Sequence, residues 1–333
     1  MKKLLIWDGD NSLWNGTLIE GRGVSITPER VLFCQTLRDR GVLQSVASHN
    51  LLPDVLSIIA EHGLEDCFLA PQANLQTPKS VMIKIIMNEL GLVKNSDVVF
   101  TDDEMFNLAE VQKALPGINT AGPEIIAYTL NSLFSKSMYT DEDKNRVRRY
   151  RSELERRKAS EEYNGEYLDF LRECAMKISM RTPTLDDMPR VVDLVQRANQ
   201  LSILDGSYDD SSLRMSRESI KACWSTDKFG DNGMIGMLLI SKDSLREHTY
   251  IHAFVISCRM QGKGIGSYML GTLLNEHVGE TVEVIFTETE YNKSMVQLLE
   301  FYGFKYVDNI YDAKRYSKLV DAPVSLPDWI EEV

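Results

Sequence analysis

Four consecutive apolar residues, Leu4–Trp7, stop abruptly on Asp8-Gly9-Asp10. So short a run ending on acids predicts a buried strand that delivers carboxylates to its C-terminal tip. The pattern recurs. Further strands are predicted at Leu43–Ala47, Cys67–Ala70, Val98–Thr101 and near Ile118, with helices starting near Pro28, Leu51, Pro78, Glu104 and Pro123. Such alternation predicts a Rossmann-like, doubly wound α/β domain with a parallel sheet over residues 1–135. Ligands of such sheets sit outside the carboxyl ends of the strands.

Four features fall at those ends. Asp8 and Asp10 repel one another unless a cation lies between them. Ser48-His49-Asn50 closes the second strand with small polar groups suited to phosphate oxygens. Lys79 opens a helix, where backbone N–H groups and the helix dipole favour an anion. Asp102-Asp103 forms a second acidic tip that can complete an oxygen-rich Mg²⁺ shell. Taken singly, Ser48 reads equally as a helix N-cap, Lys79 as a surface lysine and Asp102-Asp103 as a turn. Their order in one domain is harder to explain that way.

Residues 136–175 are dense in mixed charge at helical spacing, which predicts a solvated connecting helix or two. A second, α+β domain is predicted over 176–320, followed by a tail at 321–333. Within it, Arg259-Met260-Gln261-Gly262-Lys263-Gly264-Ile265-Gly266 follows a strand and opens an amphipathic helix. Glycines there let backbone N–H groups approach a pyrophosphate. Cys258, beside this loop, is a candidate thiol, although a buried strand-end cysteine is the simpler reading.

Composition removes some classes of function. The 333-residue chain has a formal net charge of −12, against broad nucleic-acid binding. No run reaches the ~18 apolar residues of a membrane span. The start of the chain does not read as a signal peptide, and the five scattered cysteines include no C-x-x-C pair. A cytoplasmic chain with reduced thiols is expected.

The N-terminal set resembles the haloacid dehalogenase (HAD) superfamily of phosphoryl-transfer enzymes. That resemblance implies Asp8 as nucleophile, Asp10 as general acid and base, and Ser48, Asn50 and Lys79 as phosphate holders. It also implies a Mg²⁺ site of Asp8, Asp10, Asp102 and Asp103. The Arg259–Gly266 loop, with Asn292 and Phe301-Tyr302-Gly303-Phe304, resembles the Gcn5-related N-acetyltransferase (GNAT) fold. This implies that Arg259, Gly262, Lys263, Gly264, Ile265 and Gly266 bind coenzyme A or phosphopantetheine. Many members of that fold carry a tyrosine general acid where this chain has Leu299; Glu288 and Glu290 are the alternative bases.

The two halves together resemble the FkbH-like family. Asp10-Asn11-Ser12-Leu13-Trp14 is similar to its D-N-T-L-W, and Ser48-His49-Asn50 to its S-K-N. Thr77-Pro78-Lys79-Ser80 resembles W-x-P-K-[SA], and Val99–Asp103 resembles V-F-[IV]-D-D. The resemblance implies transfer of a glyceryl group from a small phosphorylated three-carbon donor, 1,3-bisphosphoglycerate, to the phosphopantetheine thiol of an acyl carrier protein in polyketide-type biosynthesis. Three positions depart from the pattern: Ala47 stands for a cysteine, His49 for a lysine, and Glu104-Met105-Phe106-Asn107 for N-P-x-E. A HAD-type phosphatase with an accessory acetyltransferase-like domain, and a carrier-binding module, are the competing readings.

Overall fold

The computed structural model describes the chain except for residues 1–2, 19–22, 127–133, 135–140, 198–200 and 244. It divides into two units, Met1–Lys158 and Ala159–Val333.

The first unit is built on a parallel five-stranded sheet in the order β3-β2-β1-β4-β5, with β1 Leu4–Trp7, β2 Leu43–Ser48, β3 Gln72–Ala73, β4 Val98–Thr101 and β5 Asn119–Ala121. Strand periodicity divides β1 between two cores. Leu4 and Ile6 pack with helices α3 (Lys79–Glu89) and α4 (Met105–Ala114). Leu5 and Trp7 pack with α1 (Pro28–Asp39) and α2 (Leu52–Glu61). The chain order reverses between β1 and β4, so the tips of those strands lie side by side at the switch point, where an α/β sheet opens a ligand crevice.

Three expectations need correction. The apolar run Cys67–Ala70 makes only a single bridge, Gln44 to Phe68, and Ala70 turns the chain with φ 47°; its side chains fill the core instead. The charged stretch after residue 136 is not a solvated linker. Its helix α5, Asp141–Glu161, puts Val147, Tyr150 and Leu154, spaced for one helical face, into the core of the first unit. Its partner α6 spans Tyr167–Glu173. The 321–333 segment is not a tail outside the second domain: β14, Ile330–Glu332, pairs in parallel with β6, Met176–Arg181. The helix expected from Pro123 falls largely outside the described residues.

The second unit holds a mixed nine-stranded sheet among the described residues. Its antiparallel centre is β8 Ile220–Asp227, β9 Gly230–Asp243 and β10 His248–Ile256. Beyond β10 come α9 Ile265–Glu276, β11 Thr281–Phe286, α10 Lys293–Phe301, β12 Lys305–Ile310 and β13 Ala313–Leu319. Two short helices, α7 Met188–Arg197 and α8 Asp210–Met215, precede β8. Strand β10 runs parallel to β11 only over His248–Ile251. Past that point its edge is taken by β7, Ser202–Leu204, antiparallel over Ala253–Val255. Together the units form a parallel-sheet α/β domain followed by an α+β domain, the expected fold class.

Candidate active site

Asp8 follows β1 and Asp102 follows β4, and the N–H of Asp8 donates to the Thr101 carbonyl at 2.8 Å. This places two acids in a buried crevice: Asp8 is 6% exposed and Asp102 fully buried. Lys79, the first residue of α3, reaches them. Its Nζ donates to Asp8 Oδ1, donates to the Ala47 carbonyl at 2.8 Å, and lies 3.7 Å from Asp102 Oδ2. The two carboxylates therefore share one ammonium. Burial pushes the Asp8 carboxyl up to about 7, aided by the Asp102 charge, and the ion pair with Lys79 only partly opposes it.

Asp8, Asp102 and Asp103 each offer an oxygen within 4.8 Å of the others. Asp102 Oδ1 accepts from the Glu104 N–H at 2.9 Å and from Asn107 Nδ2 at 3.2 Å. Its Oδ2 is buried and accepts no hydrogen bond. A buried carboxylate oxygen with an ammonium at 3.7 Å but no hydrogen bond is costly unless something more binds it. Three carboxylates grouped in this way offer the hard oxygen donors that Mg²⁺ takes. Asn107, on α4, orients Asp102 and was not signalled by the sequence, because it lies where the FkbH-like pattern is lost.

Asp10 is held apart from that trio. Its Oδ1 accepts from Trp14 Nε1 at 2.8 Å and from the Leu18 N–H at 3.2 Å. The Asp10 carboxylate is thus not in the metal-ligating group that the resemblance implied for it. Its fixed, half-buried position suits a proton carrier instead. Gly9 is required between the two acids. A Cβ there would sit 2.3 Å from the Trp14 ring and 2.7 Å from Ser48 Oγ. The same contact brings Ser48 against the Asp8 loop, where its Oγ accepts from Asn50 Nδ2 at 2.9 Å. His49 turns to the Thr77 carbonyl, with Nε2 at 3.1 Å.

In the second unit the Arg259–Gly266 loop links β10 to α9. Gly262 and Gly264 have φ of 76° and 82°, a left-handed conformation that favours glycine, and α9 starts without a side-chain cap. Its two cations are built into the loop: Arg259 Nη2 donates to the Asn232 carbonyl at 3.3 Å, and Lys263 Nζ to the Arg259 carbonyl at 2.7 Å. Any anion at this turn is therefore left chiefly to backbone N–H groups and the helix dipole. Trp329, just before β14, donates from Nε1 to the Lys263 carbonyl at 3.0 Å and packs over Gly264. Tyr167 donates to the Gly262 carbonyl at 3.3 Å.

Residues 189–304 match the model of the acetyltransferase (GNAT) family. The C-terminal unit carries a GNAT domain. No curated protein matches the chain. Among solved structures, the N-terminal part of BF1531 from Bacteroides fragilis, containing a phosphatase domain complexed with Mg, is 23% identical over 42% of this chain and 41% of its own, with a TM-score of 0.34. The chain thus spans about two fifths of that neighbour. The ribosomal-protein-S18-alanine N-acetyltransferase of Escherichia coli is 13% identical over 44% of this chain and 95% of its own, TM-score 0.35. A GNAT superfamily phosphinothricin acetyltransferase from Sinorhizobium meliloti, in complex with AcCoA, is 16% identical over 42% and 87%, TM-score 0.32. Scores of this size decide nothing about chemistry, which rests on the side chains themselves.

In the GNAT domain, Leu299 is fully buried in the core and supplies no proton donor. Glu288 is engaged by Lys314 and Tyr316, and those hydrogen bonds hold its carboxyl below the usual range, which weakens it as a base. Glu290 is exposed. Cys258, half-buried, begins a short 3₁₀ turn, and none of the five cysteines is joined in a disulfide. Among the described residues no helix is long and apolar enough to cross a membrane.

Proposed function

We propose that the chain is a Mg²⁺-dependent acyl transferase that moves a glyceryl or related acyl group from an acyl phosphate, such as 1,3-bisphosphoglycerate, to the phosphopantetheine thiol of an acyl carrier protein. The observation that carries this reading is the buried trio of Asp8, Lys79 and Asp102, in which Asp102 Oδ2 accepts no hydrogen bond. A scaffold would gain nothing from keeping such charges out of water. The GNAT domain supports the acyl half of the reaction.

A glyceryl group bears no phosphate, so both phosphates of the donor must leave. One departs when the carrier thiol attacks the acyl carbonyl. The other is a phosphomonoester, and its cleavage falls to Asp8. An Asp8 oxygen attacks phosphorus, Asp10 protonates the departing alkoxide, and Asp10 then takes a proton from the water that hydrolyses the aspartyl phosphate. Ser48 and Lys79 hold the phosphoryl oxygens. Mg²⁺, held by Asp8, Asp102 and Asp103, would neutralise phosphate charge that otherwise repels the nucleophile. The Gly262–Gly266 turn would receive the pyrophosphate of coenzyme A, or the phosphate of phosphopantetheine, on its backbone N–H groups.

Intact-mass analysis of a holo carrier protein incubated with enzyme, Mg²⁺ and 1,3-bisphosphoglycerate tests this. A glyceryl adduct is expected; no adduct on any of several carriers overturns it. Ala47, which lacks the thiol of the FkbH-like pattern, favours a second reading: a phosphatase with an accessory acyltransferase-like domain. That reading predicts turnover of small phosphomonoesters with no thiol acceptor present.

A further inference from the structure

In the second unit, three polar side chains form a directed chain. His252 Nδ1 lies 2.6 Å from Asp205 Oδ2, and His252 Nε2 lies 2.7 Å from Ser241 Oγ. The second oxygen of Asp205, Oδ1, accepts from the Tyr208 hydroxyl. The Asp205 carboxyl is held below the usual range: burial would raise it, but the hydrogen bonds from His252 and Tyr208 outweigh that. An ionised carboxylate only accepts, so the imidazole proton sits on Nδ1. In the neutral imidazole Nε2 is then the acceptor, and the proton between Ser241 and His252 belongs to the hydroxyl.

The backbone builds this arrangement. Ser241 pairs with Tyr250 across β9 and β10, which makes His252 its diagonal neighbour. The ladder slips between Ile251 and Ala253, leaving His252 at a bulge, a device that re-aims a side chain. Asp205 follows β7, and its N–H donates to the His252 carbonyl at 2.9 Å. Main chain and side chain thus fix the same pair. The group is open to solvent, with His252 34% and Asp205 27% exposed in their side chains. Exposed polar contacts add little stability, so fold maintenance does not account for four ordered groups here.

We propose that Ser241, His252 and Asp205 form a nucleophilic relay that accepts an acyl group from an activated ester or thioester. The roles are recognised by geometry, not by order in the chain. Ser241 Oγ attacks the acyl carbonyl while His252 Nε2 takes its proton. The C–O or C–S bond breaks, and the leaving alkoxide or thiolate receives that proton from the imidazolium. Water attacks the acyl-serine by the same route, releasing the carboxylic acid and restoring Ser241. Asp205 is a positioning residue that fixes the tautomer, and Tyr208 fixes Asp205. This reading is independent of the phosphoryl site and requires neither Mg²⁺ nor a phosphorylated donor.

A fluorophosphonate probe on the full-length, metal-free protein provides the test, with the modified peptide mapped by mass spectrometry. One equivalent is expected on Ser241, none in Ser241→Ala, and a labelling rate reduced by roughly 10²-fold or more in His252→Ala and Asp205→Asn. Circular dichroism melting should show all variants folded. Hydrolysis of p-nitrophenyl acetate should fall in parallel in the same three variants. Absence of label on Ser241 in the folded wild type would overturn the proposal. So would equal labelling in His252→Ala, or ester hydrolysis that survives Ser241→Ala but not His252→Ala.

Discussion

Asp8 and Asp205 are both partly or wholly withdrawn from water, yet their carboxyls shift in opposite directions. Asp8 is nearly sealed, shares one ammonium with Asp102 and rises to about 7. Asp205 keeps solvent on one side, has a donor on each oxygen and falls below the usual range. The difference lies in satisfaction, not in burial alone. Donors already in place stabilise the charge on Asp205 and free it to orient His252. Asp8 shares its Lys79 donor with Asp102 and is poised to gain from a cation and a phosphoryl group that arrive from outside. An acid left under-satisfied at a strand tip suits chemistry, whereas one that is fully partnered suits positioning.

The largest effect should come from removing the nucleophile. Asp8→Asn should lower phosphate release from acyl phosphates and phosphomonoesters by roughly 10⁴-fold or more, measured by continuous phosphate assay. Next is the shared cation. Lys79→Ala leaves two buried carboxylates without their counter-charge and should cost about 3 to 5 kcal/mol in denaturant unfolding of the metal-free protein. Millimolar Mg²⁺ should recover part of that loss; if it does not, the three acids are not a metal site.

The pH dependence separates the two aspartates by sign. Asp8 has a raised folded pKa, so its contribution is fully present below about 4 and is lost as pH rises through about 7. Metal-free stability should therefore fall across that window, by on the order of 2–4 kcal/mol at most. Asp8→Asn should flatten the profile. Asp205, with its lowered pKa, contributes in the opposite sense: its stabilisation is present above its unfolded value near 3.8 and is lost as pH falls. The smallest effect is expected there. Partial exposure screens the interaction, so Asp205→Asn should cost less than about 1 kcal/mol. A larger loss would make the Asp205 pair structural and remove the contrast.

The first site was legible because each residue sits where an apolar run ends. Leu4–Trp7 and Val98–Thr101 announce the tips that carry Asp8 and Asp102, and Pro78 marks the helix start that aims Lys79. The separation of Asp10 from the metal group was not legible. It depends on where the indole of Trp14 closes the loop. Charge hid the packing of Asp141–Glu161, since its apolar contacts with the core are Val147, Tyr150 and the half-buried Leu154, and Asp143, Arg149 and Arg156 are buried beside them. The Ser241 relay left no local trace. Its members come from β9, β10 and the end of β7, and they meet only because β7 takes the edge of β10 and a bulge turns His252. Spacing along a chain reports strand tips well and cross-strand neighbours poorly.

The central claim is that Asp8, Asp102 and Asp103 bind Mg²⁺ so that Asp8 can accept a phosphoryl group. Beryllofluoride, which mimics an aspartyl phosphate, tests it directly by ¹⁹F NMR and calorimetry. The account predicts saturable, Mg²⁺-dependent binding of one equivalent in the wild type and none in Asp8→Asn. Failure of the folded wild type to bind beryllofluoride with Mg²⁺ present, or equal binding by Asp8→Asn, would contradict it.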